Sequence, residues 1–217
     1  MSRDQYQTDL QDLKNQMTSV VELVKKNLKD SIRFLASRDM KGADLVIQSD
    51  EQVNHKCWNI EERCIRLIAT QQPVAGDLRF IFSVLQITNE VERIGDYAKG
   101  IARISRKIGG DPLVKPLVDI PRMADIAIGM MEDAQKAFCE EDEESAREIP
   151  TRDIQIDVLY RQVHRELLTF VMERPTNMEQ CMQLDWIAHN LERVGDRVIN
   201  ICERIIFTIS GEVVDFN

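Results

Sequence analysis

Residues 89–101 read NEVERIGDYAKGI, and residues 189–201 read HNLERVGDRVINI. Glu92, Arg93, Gly95, Asp96 and Ile101 recur as Glu192, Arg193, Gly195, Asp196 and Ile201, each 100 positions further on. Around them Val91, Ile94 and Ala98, and likewise Leu191, Val194 and Val198, are spaced by three and four, which is the period of an amphipathic helix. Upstream, residues 50–54 (DEQVN) correspond to residues 153–157 (DIQID), and Asp39 corresponds to Asp142, both at an offset of 103. A pattern that repeats over half the chain marks two copies of one structural unit.

Working outward, the apolar period predicts six long helices. The first carries Leu13, Met17, Val20, Val24, Leu28, Ile32 and Leu35, and Asp39 is placed to cap the second. The second runs from Leu45 to Ile68 and stops before Pro73, because proline disfavours helical geometry in the preceding residue. The third spans about Asp77–Lys107. Gly109-Gly110-Asp111-Pro112 then forms the strongest break, with Asp111 read as a cap and Pro112 as a first helical residue. In the second half, helices carry Met123–Phe138, Ile149–Val171 and Leu184–Ile206, with residues 176–179 (TNME) read as a capping box. The expected fold is all-α: two tandem, pseudo-symmetric antiparallel three-helix bundles, residues 1–109 and 110–217, packed end to end.

Composition narrows the function classes. Of 217 residues 43% are hydrophobic and 30% charged, with nine Gly and six Pro, as in an ordinary globular protein rather than a turn-rich or disordered one. A formal net charge of −9 argues against a nucleic-acid surface, which needs clustered Lys and Arg. No apolar run is long enough for a membrane span, and the polar N-terminus is not a signal peptide, so a cytoplasmic protein without membrane insertion is expected. The five cysteines form no C-x-x-C pair and read as buried reduced thiols; Trp58 and Trp186 read as core residues. His55 and His164 have no partner at ligand spacing and read as surface or satisfied core positions rather than ligands.

The repeated motif carries the chemistry. Glu92 and Asp96 stand one helical turn apart on one face, as do Glu192 and Asp196, and such like charges repel. Gly95 and Gly195 interrupt a helix interior, where glycine is unfavourable by about 0.5–1 kcal/mol unless something must approach closely. The second row continues through Asp185, His189, Asn200 and Glu203. If Asp50 and Asn54, or Asp153 and Asp157, lie against these rows, each unit gathers several oxygen ligands suited to Mg²⁺, Mn²⁺, Ca²⁺ or iron, and His189 adds zinc. The same residues are equally compatible with an inter-helix ion-pair network in a structural adaptor. A di-metal enzyme is the third reading. Gly-rich phosphate loops, H-E-x-x-H and G-x-S-x-G are all absent, as is the Glu-x-x-His pair of di-iron bundles.

Residues 71–75 (QQPVA) with Asp77-Leu78-Arg79, the two Glu-Arg-Ile/Val-Gly-Asp segments and the paired Asp50 and Asp153 positions together resemble the PhoU family of phosphate-uptake regulators, over nearly the whole chain. The resemblance implies metal clusters (iron, zinc, Mn²⁺ or Mg²⁺) at Asp50, Glu92 and Asp96 in the first unit, and at Asp153, Asp157, Glu192 and Asp196 in the second. Asn54 stands where many members have a carboxylate, which depletes the first set. It further implies a homodimeric, non-enzymatic negative regulator of the phosphate-starvation response. Its partners would be the ATPase subunit of the phosphate ABC transporter and a phosphate-sensor histidine kinase.

Overall fold

The structure, a computed structural model, describes residues 3–216, and among them there are helices and no strands. The first unit consists of α1 (Arg3–Ser37), α2 (Met40–Gln71) and α3 (Ala75–Ile108). The second consists of α4 (Asp119–Glu140), the short α5 (Glu143–Glu148), α6 (Asp153–Glu173) and α7 (Met178–Ser210). The longest of these, α1 with 35 residues, extends about 50 Å at 1.5 Å per residue. Each unit is a three-helix bundle: α1, α2 and α3 pack together, as do α4, α6 and α7.

The repeat is visible in the helix corners. Arg38 and Glu141 both adopt a left-handed backbone, with φ of 55° and 56°. The next residue in each unit turns its amide back, Asp39 N–H to Phe34 O and Asp142 N–H to Ala137 O, both at 3.0 Å. Those aspartates then cap the following helix, Asp39 accepting from the Gly42 amide and Asp142 from the Ser145 amide.

Three expectations are corrected. The units pack side by side rather than end to end: α3 runs antiparallel along α7, from the Phe82–Phe207 ring contact through Glu90–Arg197 to Gly100 against Trp186. The apolar seams of both units merge into one core, including Leu28, Ile94 and Ile101 of the first and Met130, Leu184 and Val198 of the second. The helix predicted over Ile149–Val171 is broken, because Pro150 opens a 3-10 turn at Ile149–Arg152 and α6 starts afresh at Asp153. Finally, Asp111-Pro112 begins an irregular connection and not a helix. Pro116 falls in the same segment, whose backbone is held instead by side chains: Gln180 bonds both the Val114 amide and the Pro112 carbonyl, and Lys115 pairs with Glu166.

Smaller readings also shift. The residues 176–179 do not form a capping box; Asn177 precedes α7 without a side-chain bond, and Glu179 turns to Lys107. Trp58 and Trp186 are 58% and 43% exposed rather than core, and Cys139 is exposed while the other four cysteines are buried. No helix among the described residues is long and apolar enough to cross a membrane.

Candidate functional site

In the second unit α6 and α7 lie antiparallel and meet in rungs. His164 Nδ1 stands 2.8 Å from Asp185 Oδ1, on a half-exposed side chain that is satisfied at the surface. One turn further the Tyr160 and His189 rings are 5.8 Å apart. The same register carries on to Asp157 opposite Glu192 and to Asp153 opposite Asp196, the Asp153 carboxylate lying against Gly195. The four carboxylates assigned to the second unit therefore face one another across α6 and α7.

Gly195 is what makes this possible. A Cβ built there would lie 2.0 Å from Asp153 Oδ1 and 3.2 Å from Ile156 Cδ1. The Asp153 carboxylate thus rests directly on the α7 backbone, between Glu192 and Asp196 one turn apart. Its Oδ1 is buried with no hydrogen-bond donor. Burial, followed by the charges of Asp157, Asp196 and Glu192, pushes Asp153 up to about 7. Glu192 is also raised, first by burial and then by Asp196, against the lowering effect of His189 and Arg193. Its Oε2 accepts no hydrogen bond, and His189 Nδ1 at 3.5 Å gives only a loose ion pair. Arg193 bonds Asp196 Oδ2 at 2.7 Å, and Arg161 stands 3.6 Å from Asp157 Oδ2.

The row ends sooner than its helical spacing suggests. Asn200 turns toward α3 and donates to Glu90 at 3.2 Å, while Glu203 accepts from the Phe216 amide at 3.1 Å. The reason is the start of α6: it begins at Asp153, opposite Asp196, so later α7 residues face other neighbours.

The first unit assembles differently. Asp50 lies well inside α2 and is 3% exposed; its Oδ2 accepts from Lys99 Nζ and from Asn54 Nδ2, the latter at 3.2 Å. Its Oδ1 is buried and unpartnered. Glu92 is raised by burial first, then by Glu61, Asp96 and Asp50, with Arg93 opposing. Glu92 therefore lies within electrostatic reach of Glu61, Asp96 and Asp50, while the direct partners of Asp50 are Lys99 and Asn54. Burial and the charges of Glu92, Glu61 and Asp50 also push the Cys57 thiol up to about 12, which disfavours the thiolate there. Gly95 admits only apolar atoms, with Val53 Cγ1 at 3.2 Å and Val24 Cγ2 at 3.7 Å from a built Cβ.

Sequence reasoning missed Lys99 and Glu61. The only trace of Lys99 in the sequence is the difference between the copies, since the second has Ile199 at its place. Glu61 corresponds to His164 by the offset of 103 and was findable from the repeat.

As the side chains stand, no three His, Cys, Asp or Glu among the described residues converge on a single ion-sized point. The donor chemistry of the second cluster nevertheless fits a hard or borderline cation. Two buried carboxylate oxygens, Asp153 Oδ1 and Glu192 Oε2, have no protein donor, and a glycine cradle lies under one of them. The first cluster does not fit, since Lys99 and Asn54 already occupy Asp50 Oδ2.

Fold and site define a class: an all-helical protein of two fused three-helix repeats, each placing a carboxylate cluster between its middle and third helices. The chain belongs to the PhoU domain family, whose profile matches residues 17–105 and 120–205. It is 33% identical to the phosphate-specific transport system accessory protein PhoU homolog of Clostridium acetobutylicum, over 100% of both chains. It is 34% identical to the homolog of the same name from Aquifex aeolicus, over 95% of this chain and 93% of that one. Among solved structures, the phosphate transport system regulatory protein PhoU from Streptococcus pneumoniae superposes with a TM-score of 0.90 at 29% identity, covering 97% of this chain and 100% of that one. PhoU from Pseudomonas aeruginosa gives 0.89 at 31% identity, covering 95% and 100%.

Proposed function

We propose that this protein is a non-catalytic, metal-binding accessory regulator of phosphate transport. The observation that carries the regulatory half is likeness along the entire length to relatives named for that role, at 33% identity over both whole chains. On this reading residues 1–109 and 110–217 are two units of a homodimeric, cytoplasmic adaptor. It holds the phosphate-starvation response off by engaging the ATPase subunit of the phosphate ABC transporter and a phosphate-sensing histidine kinase. Exposed apolar side chains recur at equivalent places in both units, Ile65, Leu78 and Phe82 in the first and Leu168, Met178 and Met182 in the second. Surface apolar groups of this kind support a role in protein contacts.

The metal half rests on the second cluster, where Asp153, Asp157, Glu192 and Asp196 are the ligands and His189 stands beside them. Iron, Zn²⁺, Mn²⁺ or Mg²⁺ held there supplies positive charge that the fold does not. The residues' own work is to present oxygens: Gly195 lets Asp153 reach the α7 backbone, and Arg193 orients Asp196.

Two measurements test the two halves. Deleting the gene should switch phosphate-starvation genes on in phosphate-replete medium, and the ATPase should co-purify with the tagged protein; unchanged expression together with no co-purification refutes the regulatory role. Elemental analysis of untagged protein purified without chelator should find iron, zinc or manganese. Absence of metal, with no thermal shift on adding Mn²⁺, Fe²⁺ or Zn²⁺, refutes the metal half.

A further inference from the structure

We infer that the two carboxylate clusters have different cations: the second takes a metal ion, whereas the first is closed by the chain's own ammonium group, that of Lys99, and holds none. The inference rests on the metal reading of the second cluster and concerns what sets the first apart.

The comparison is internal to one chain. Asp50 and Asp153 are equivalent, and each has a buried Oδ1 with no donor. Their other surroundings diverge at three places. Lys99 comes from α3 onto Asp50 Oδ2, and the equivalent residue on α7 is Ile199, 5% exposed and without a charge to offer. Asn54 donates to the same Asp50 oxygen at 3.2 Å, and the equivalent residue is Asp157, which adds a charge instead of satisfying one. Gly95 faces Val53 and Val24, whereas Gly195 faces the Asp153 carboxylate itself. Lys99 is anchored with its side chain 22% exposed, so the ammonium is largely withdrawn from water onto a carboxylate that is 3% exposed. A metal entering beside Asp50 has to displace an ion pair and an amide bond and then share the cluster with a like charge. Removing one partner of a buried pair is strongly unfavourable. Beside Asp153 no protein cation needs to leave Asp153.

The test is metal stoichiometry per chain in full-length, untagged protein loaded with Mn²⁺, Fe²⁺ or Zn²⁺ and desalted. Asp153→Asn and Glu192→Gln should remove the bound metal, whereas Glu92→Gln and Asp96→Asn should leave it unchanged. Lys99→Met keeps the aliphatic stem and removes the charge. It should raise the metal bound per chain, and the gain should disappear in Lys99→Met/Glu92→Gln. Loss of metal on Glu92→Gln alone in the otherwise native chain overturns the inference while leaving the metal reading intact. Metal content that moves with neither set of carboxylates overturns the metal reading and this inference with it. If Lys99→Met fails to fold, the four carboxylate variants still decide between these outcomes.

Discussion

Replacing Asp153 with Asn should stabilise the metal-free protein at pH 8, although it alters a residue assigned to the site. The folded environment raises this carboxyl from its ordinary 3.8 to about 7, by burial and by the charges of Asp157, Asp196 and Glu192. A carboxyl raised on folding binds more protons in the native state than in the unfolded one between those two values. Its contribution is therefore fully present below about pH 4 and is lost as the pH climbs through about 7. Three pH units correspond to a ceiling of about 4 kcal/mol at 1.36 kcal/mol each. Asp153 is only half-buried, so solvent screening brings the expected effect down to about 1–2 kcal/mol. For a chain of this size that is about 2–8 °C in melting temperature. The assay is differential scanning calorimetry in EDTA at pH 5 and pH 8. The native chain should lose stability between the two, and Asp153→Asn should lose less and melt higher at pH 8. Adding Mn²⁺ should reverse the order, because a ligand at 100 times its dissociation constant contributes about 2.7 kcal/mol to the protein that binds it. An Asn variant that melts below the native chain at pH 8 in EDTA, or that shows the same pH slope, refutes the account of Asp153 as an uncompensated charge.

Gly195→Ala should destabilise by about 1–3 kcal/mol, since the new methyl meets Asp153 Oδ1 at 2.0 Å, and should reduce metal content. Gly95→Ala meets Val53 Cγ1 at 3.2 Å, which a small side-chain shift relieves, so its melting temperature should fall by clearly less. Arg197→Met leaves Glu90 with Asn200 as its remaining bonded neighbour at the α3–α7 contact. A cost of about 1–3 kcal/mol in urea unfolding is expected, between the values for exposed and fully buried pairs. Asp39→Ala removes the bond to the Gly42 amide and should cost about 1 kcal/mol by the same measurement.

Much of the fold was legible because its signals are local. The buried positions of α1, Leu13, Met17, Val20, Val24, Leu28 and Leu35, are the apolar series itself, and Asp39 caps as its position predicts. The repeat made the motif helices and their cluster partners legible too, since equal offsets in sequence became equal places in space. What was not legible depends on the relation between units. Side-by-side packing is decided by which side chains line α3 and α7, such as Gly100 beneath Trp186, and nothing in either half alone reveals it. The break at Pro150 shows a different gap. The amphipathic period runs through it undisturbed, so the apolar pattern overrode a proline whose missing donor ends α5. Lys99 went unread because three-residue spacing places it near the motif face without showing that its long side chain reaches α2.

The first unit also bears on the ion-pair reading of the motif. It shows how this fold satisfies a buried carboxylate oxygen with protein atoms alone: a lysine from α3 and an asparagine from α2 converge on Asp50 Oδ2. If the second cluster were an ion-pair network of the same kind, the fold offers the same two positions for it, and they hold Ile199 and Asp157. Arg193 and Arg161 do contact Asp196 and Asp157, but neither reaches Asp153 Oδ1 or Glu192 Oε2. An isoleucine and an aspartate stand at the places of the lysine and the asparagine that bond Asp50, while Arg161 and His164 stand at the places of Trp58 and Glu61. The two clusters therefore differ less in total charge than in where it lies: the second unit places no cation where Lys99 meets Asp50, and that is the position an external cation would fill.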